Sequence, residues 1–193
     1  MSSIERKTLY FEAKGKQNTS TLLERVREYA DKTGVRDVVV ASTTGETGVA
    51  ASKLFGSFNL TVVTHHSGFS TPGSHELDEE NRRQILANGA KIFTATHALS
   101  GVERAIRKEF GTIEPLEIIA NTLRLFGEGT KVCVEIALMA TDAGLMPVDK
   151  DIIAIAGSGR GADTALLIKS ANTSRFFELE VREVIAKPRQ LKK

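Results

Sequence analysis

The sequence has no tryptophan, two tyrosines and a single cysteine, Cys133. One thiol excludes an intrachain disulfide and suits a reducing compartment. The scarcity of aromatic rings argues against a stacking platform for single-stranded nucleic acid. A charge excess of one sign is also missing: 26 Lys and Arg face 24 Asp and Glu over 193 residues, a net of +2. Four of those positives, Lys187, Arg189, Lys192 and Lys193, lie in the last seven residues, which leaves 22 against 24 in the rest. The basic face or stripe of a nucleic-acid binder is therefore not visible. No apolar run approaches a membrane span, and Met1 to Lys7 lacks the apolar stretch of a signal peptide. These absences lead to an expectation: a cytoplasmic single domain over 1–193, with 187–193 as a basic tail and neither nucleic acid nor membrane as a partner.

What is present is alternation. The continuous apolar run Val38–Ala41 reads as a strand buried on both faces, and Leu60–Thr64, Lys91–Ala95 and Asp151–Ala156 repeat the pattern. Helical spacing lies between them. Leu22, Leu23, Val26 and Ala30 form one stripe, introduced by a capping box at Thr21–Glu24 and closed by Gly34. Ser74 is the expected cap of a helix over Leu77–Asn88, with Asp78/Arg82 and Glu79/Arg83 as i,i+4 pairs. Ser100–Glu103 forms a second capping box, Pro115 opens a further helix, and Val132–Ala140 is apolar almost all round, as in a buried helix, with a strand as the alternative. Ala165–Ser170 and Phe176–Ile185 read as a terminal pair of strands. Strands alternating with helices predict a three-layer α/β/α domain with a mostly parallel sheet and an antiparallel strand near the C-terminus. Ligands of such sheets bind beyond the carboxyl ends of the strands.

Four loops follow strands and should share that edge. In the first, Ser42, Thr43, Thr44, Gly45, Glu46, Thr47 and Gly48 lie between a buried strand and a helix start. Glycines there permit close approach, hydroxyls donate, and the helix offers free N–H groups and its positive end. This is a phosphate cradle without the Walker pattern. Glu46 repels a phosphate, so a cation is needed from elsewhere; Lys16, Lys53 and Arg160 are the candidates. The loop from Gly157 to Asp163 mimics a dinucleotide fingerprint, but its spacing and the strand that follows exclude a Rossmann site. His65 and His97, each at or near a strand end, suit hydrogen bonds to a ligand. With no H-E-x-x-H or C-x-x-C present, no metal site is expected. No G-x-S-x-G elbow occurs and no nucleophile is paired with a base, so no catalytic residue is assigned.

Two segments carry a resemblance. Val38–Lys53 followed by Leu60–Thr64, and Gly144–Gly157 followed by its Gly-rich turn, are similar to the C-terminal α/β domain of pyruvate kinases. There the two loops hold the phosphates of a sugar-phosphate effector. Further motifs, Phe11–Glu12, Gly15–Thr19, Val63–Phe69, His97–Gly101, Lys131–Ala137 and Gly161–Leu166, resemble a stand-alone, mostly archaeal group of pyruvate-kinase-C-terminal-like proteins. The second resemblance implies flavin mononucleotide (FMN) as cofactor. Phosphate would sit on Thr43–Gly48, and the ring would be flanked by His65, Ser67, Gly68 and Phe69, by His97, Ser100 and Gly101, and by Gly157, Gly161, Ala162 and Asp163. No catalytic barrel accompanies these motifs, so pyruvate kinase activity is not expected. A non-catalytic sensor or regulatory protein, a small FMN-dependent oxidoreductase and a binder of another small phosphorylated ligand all fit, and a homo-oligomer is compatible with each.

Overall fold

The computed structural model describes residues 3–190. Strands β1 (Leu9–Phe11), β2 (Asp37–Ala41), β3 (Asn59–Thr64), β4 (Lys91–Thr94), β5 (Asp151–Ala156), β6 (Thr164–Lys169) and β7 (Glu180–Pro188) form one sheet in the order β1-β7-β6-β5-β2-β3-β4. Only β6 runs against the others, pairing antiparallel with β5 and β7. The connection explains the reversal: Ala156 pairs with Thr164, so residues 157–163 span a hairpin. A parallel crossover needs a dozen or more residues.

Period-2 alternation divides the core between the two faces. Val38 and Val40 of β2, with Leu60, Val62, Ile153 and Ile155, pack against α1 (Thr19–Thr33), α2 (Glu46–Leu54) and α3 (Glu79–Ala87). Val39, with Val63, Ile152, Ala154 and Leu166, packs against α5 (Pro115–Arg124) and α6 (Glu128–Asp142). The layers are α/β/α, as expected. Helix α6 is buried from Gly129 to Thr141 apart from Val132, which makes it the second face's main apolar ridge. Its first turn comes very close to β6: a Cβ on Gly129 would stand 2.2 Å from Thr164 Oγ1. Gly129→Ala is therefore expected to destabilise. Overpacking costs about 1–3 kcal/mol and exceeds the gain in helix propensity of about 1 kcal/mol. A urea midpoint that rises in the variant would contradict this packing.

Several ends differ from their sequence expectations. Thr21 lies inside α1, which starts at Thr19, so Thr21–Glu24 caps nothing. The cap of α3 is Asp78, whose side chain accepts from Asn81 N–H, rather than Ser74. Arg83 pairs with Glu80 instead of Glu79. The Glu103 carboxylate does not close a capping box on α4 (Glu103–Phe110); it accepts from Leu116 N–H and thereby caps α5. Residues Thr173–Glu178 form a 3-10 turn, so the last strand begins at Glu180 rather than Phe176. That strand also absorbs the start of the expected tail. Lys187 and Pro188 pair with Tyr10 and Phe11 of β1, and 191–193 lie outside the described residues. Among the described residues, no helix is long and apolar enough to cross a membrane.

Candidate functional site

Strands β2, β3, β4 and β5 are mutually parallel, so the loops after them meet at one sheet edge. After β2, Ser42 is buried and its Oγ accepts from the Gly48 N–H at 3.0 Å. That bond satisfies one of the donors a helix start leaves open. Gly45 takes φ 95° as the cap of α2, against Asn81 and Leu77. The Thr44 carbonyl accepts from Asp78 N–H and Asn81 Nδ2, which anchors the loop to α3. Helix α2 begins at Glu46, so Glu46, Thr47 and Gly48 form its first turn instead of the loop. Gly48 is there for packing, since a Cβ would lie 2.8 Å from Ile85 Cδ1. Lys16 is the cation that answers Glu46: their ion pair holds the Glu46 carboxyl below its ordinary value, with Arg160 adding a smaller pull.

A cavity of about 390 Å³ opens at this edge, towards the α5–α6 face. Ser42, Thr43, His65, Phe69, His97 and Ser100 line it, so it joins three of the four predicted loops. The rings of His65 and Phe69 lie 3.9 Å apart, and His97 is 5.3 Å from each. His65 is oriented from both sides, with Nδ1 2.8 Å from Glu76 Oε2 and Nε2 3.4 Å from Thr43 Oγ1. The bond to His65 also holds the Glu76 carboxyl below its usual range. Ser67 and Gly68 shape the loop that carries Phe69 by donating to the Ser74 carbonyl. Gly101, at φ 51°, makes the turn before α4.

Other predicted residues do not face this cavity. Asp163 is fully buried, and its carboxylate accepts from Gly15 N–H (3.0 Å), Ser158 N–H (3.3 Å), Ser158 Oγ (3.3 Å) and Thr164 Oγ1 (2.9 Å). It binds its own chain. Ala162 is buried and donates its N–H to Thr19 Oγ1. Gly157 and Gly161 serve close backbone approach within the protein: a Cβ on Gly157 would be 2.3 Å from the Gly161 carbonyl, and one on Gly161 2.6 Å from Lys16 Cα. Glu46, Thr47 and Gly161 line a second, separate cavity of about 580 Å³ with Lys16 and Lys53, against α1. The single site expected from sequence is thus divided between two cavities.

Eight charged residues line the first cavity with no site role expected from the sequence: Glu103, Arg104, Arg107, Glu117, Arg124, Glu128, and Lys131 and Glu135 of the Lys131–Ala137 motif. Arg104 stacks over Phe69 at 4.8 Å. Arg107 pairs with Glu117, and Arg124 with Glu128. Lys131 and Glu135 form a buried pair one turn apart on α6. The signal was available, because two opposite charges at i,i+4 inside an otherwise apolar helix need a partner or a cavity.

Burial pushes the His97 imidazole down to about 4, against a partial upward pull from Glu135. Its ordinary value is 6.5. Between these values the unfolded chain holds the proton and the folded chain does not. This contribution to stability is complete above 6.5 and lost as pH falls towards 4. His97→Gln should lose less stability than the native protein when denaturation midpoints are followed down through that window. Identical pH slopes would refute a half-buried, neutral His97.

The family described as "Pyruvate kinase, alpha/beta domain" matches residues 20–169. The chain belongs to this family. Among solved structures, Cryptosporidium parvum pyruvate kinase in complex with ADP is similar at 17 % identity and a TM-score of 0.36, over 77 % of this chain and 22 % of that one. O-ureido-L-serine synthase is similar at 17 % identity and a TM-score of 0.31, over 68 % of this chain and 40 % of that one. The chain therefore spans about a fifth of the pyruvate kinase and two fifths of the synthase it matches.

Proposed function

We propose that the protein binds flavin mononucleotide at the carboxyl edge of its sheet and acts as a non-catalytic sensor or regulatory domain. The observation that carries this reading is the continuity of the 390 Å³ cavity. Its walls take in Ser42 and Thr43 from the loop that precedes α2, the His65, Phe69 and His97 side chains, and the apolar Leu99, Leu116, Val132 and Ile136. A phosphate suits the Thr43 hydroxyl together with Arg104, Arg107 and Arg124, which line the same cavity and offer charge-assisted donors. A flat, largely apolar ring suits the rest. The volume lies within the range of about 300–1,000 Å³ typical of small-molecule sites.

The binding role is favoured over a redox one by Cys133. Burial holds this thiol well above its ordinary value, and its S–H donates to the Ala154 carbonyl. It is a protonated core residue, out of reach as an electron-transfer partner.

Titration with FMN, followed by quenching of flavin fluorescence, tests the proposal directly. Saturable one-to-one binding, with FMN identified by mass spectrometry in protein purified natively, is the expected result. A protein that neither retains nor takes up FMN refutes it.

A further inference from the structure

We infer that Lys131 and Glu135 form a donor–acceptor pair that reads the imide edge of a ligand ring, a carbonyl next to a ring N–H. The inference rests on the ligand site proposed above and names what that site selects.

Both residues line the cavity. Their side chains are only 8 % and 4 % exposed, in a helix whose neighbours Cys133, Val134 and Ala137 are core residues. Lys131 Nζ donates to Glu135 Oε2 at 2.5 Å, and Glu135 Oε1 accepts from Leu99 N–H at 3.0 Å. An ammonium has three donors, and Glu135 is the one partner of Lys131 among the described residues. A carboxylate offers about four lone-pair sites, and two are used here. Donor and acceptor capacity therefore remain side by side in the wall of the cavity.

Stability does not account for such a pair. A buried ion pair is often no better for folding than apolar residues of the same volume, and this helix could have supplied them. The pair is neutral overall, so it favours a neutral polar edge over a second phosphate. Lysine would donate to a ring carbonyl while glutamate accepts from the adjacent ring N–H. Flavin carries that arrangement on its pyrimidine ring, as does uracil.

The test uses ligands altered at one atom. The native protein is titrated with FMN and with FMN methylated at ring N3, which abolishes the N–H and adds bulk. Methylation is expected to weaken binding at least about tenfold, since a site built for a hydrogen bond rejects an analogue lacking it. Lys131→Met/Glu135→Leu replaces the whole pair by apolar groups and leaves no lone buried charge. This double variant should bind the two flavins with equal affinity. Equal affinity of the native protein for both flavins overturns the inference. If FMN does not bind, uridine 5′-monophosphate and its N3-methyl form separate the two proposals. Uridine binding that is lost on methylation keeps the imide reading and rejects the flavin, whereas no binding of either nucleotide overturns both.

Discussion

Asp163→Ala is expected to lower the unfolding free energy by about 3–5 kcal/mol, because it strips a buried acceptor from several donors at once. The Asp163 carboxylate is fully buried and accepts from Gly15 N–H, Ser158 N–H, Ser158 Oγ and Thr164 Oγ1. The Gly15 bond ties the β5–β6 hairpin to the segment that precedes α1, 148 residues away in the chain, while the others brace the hairpin itself. Alanine leaves these donors without their shared acceptor, the Thr164 hydroxyl among them in the buried interior. Asp163→Asn keeps one acceptor oxygen and should fall between the two. Urea unfolding of the three proteins measures the series. A loss below about 1 kcal/mol for the alanine variant, the value of one ordinary hydrogen bond, would show that the donors find other partners. The same variant separates a structural from a ligand-contacting aspartate. Corrected for the unfolded fraction, its FMN affinity should match that of the native protein.

Thr43→Glu is expected to weaken FMN binding at least about 100-fold while leaving riboflavin binding nearly unchanged. Thr43 lines the cavity beside the start of α2, with its hydroxyl 3.4 Å from His65 Nε2. A glutamate there removes a donor to the phosphate and sets a negative charge against it. Each charge-assisted hydrogen bond contributes about 1.5–3 kcal/mol, and each tenfold in affinity is about 1.4 kcal/mol. Riboflavin lacks the phosphate and so isolates the ring's share of binding. Parallel titrations of the two ligands read the effect. Equal weakening of both would move the phosphate away from this loop, towards the arginines at the cavity rim.

The strands were legible because burial on both faces imposes continuous apolar runs, as in Val38–Ala41 and Asp151–Ala156. The placement of four loops on one edge then followed from parallel pairing alone. Helix starts were less legible. Ser, Thr and Glu at capping-box spacing occur at Thr21–Glu24 and Ser100–Glu103, yet Thr21 lies inside the first turn of α1 and Glu103 serves the next helix. Local spacing states what a cap can do, and the neighbouring element decides whether that donor is still free.

The sequence by itself determined the α/β alternation, the apolar core of each strand, an antiparallel strand near the C-terminus, and the cluster of hydroxyls and histidines at the carboxyl edge. All are local, or follow from chain length and handedness. Only the tertiary structure decided which side of the sheet each loop residue faces. It turned Asp163 and Gly161 into supports for the Gly15–Thr19 segment, separated Glu46 and Thr47 from Thr43, and brought Lys131 and Glu135 to the cavity that His97 lines. The physical reason is that strands and helices show opposite faces to two different layers. Neighbours in a loop therefore part company, and a charge pair in the middle of an apolar helix gains a cavity that only packing creates.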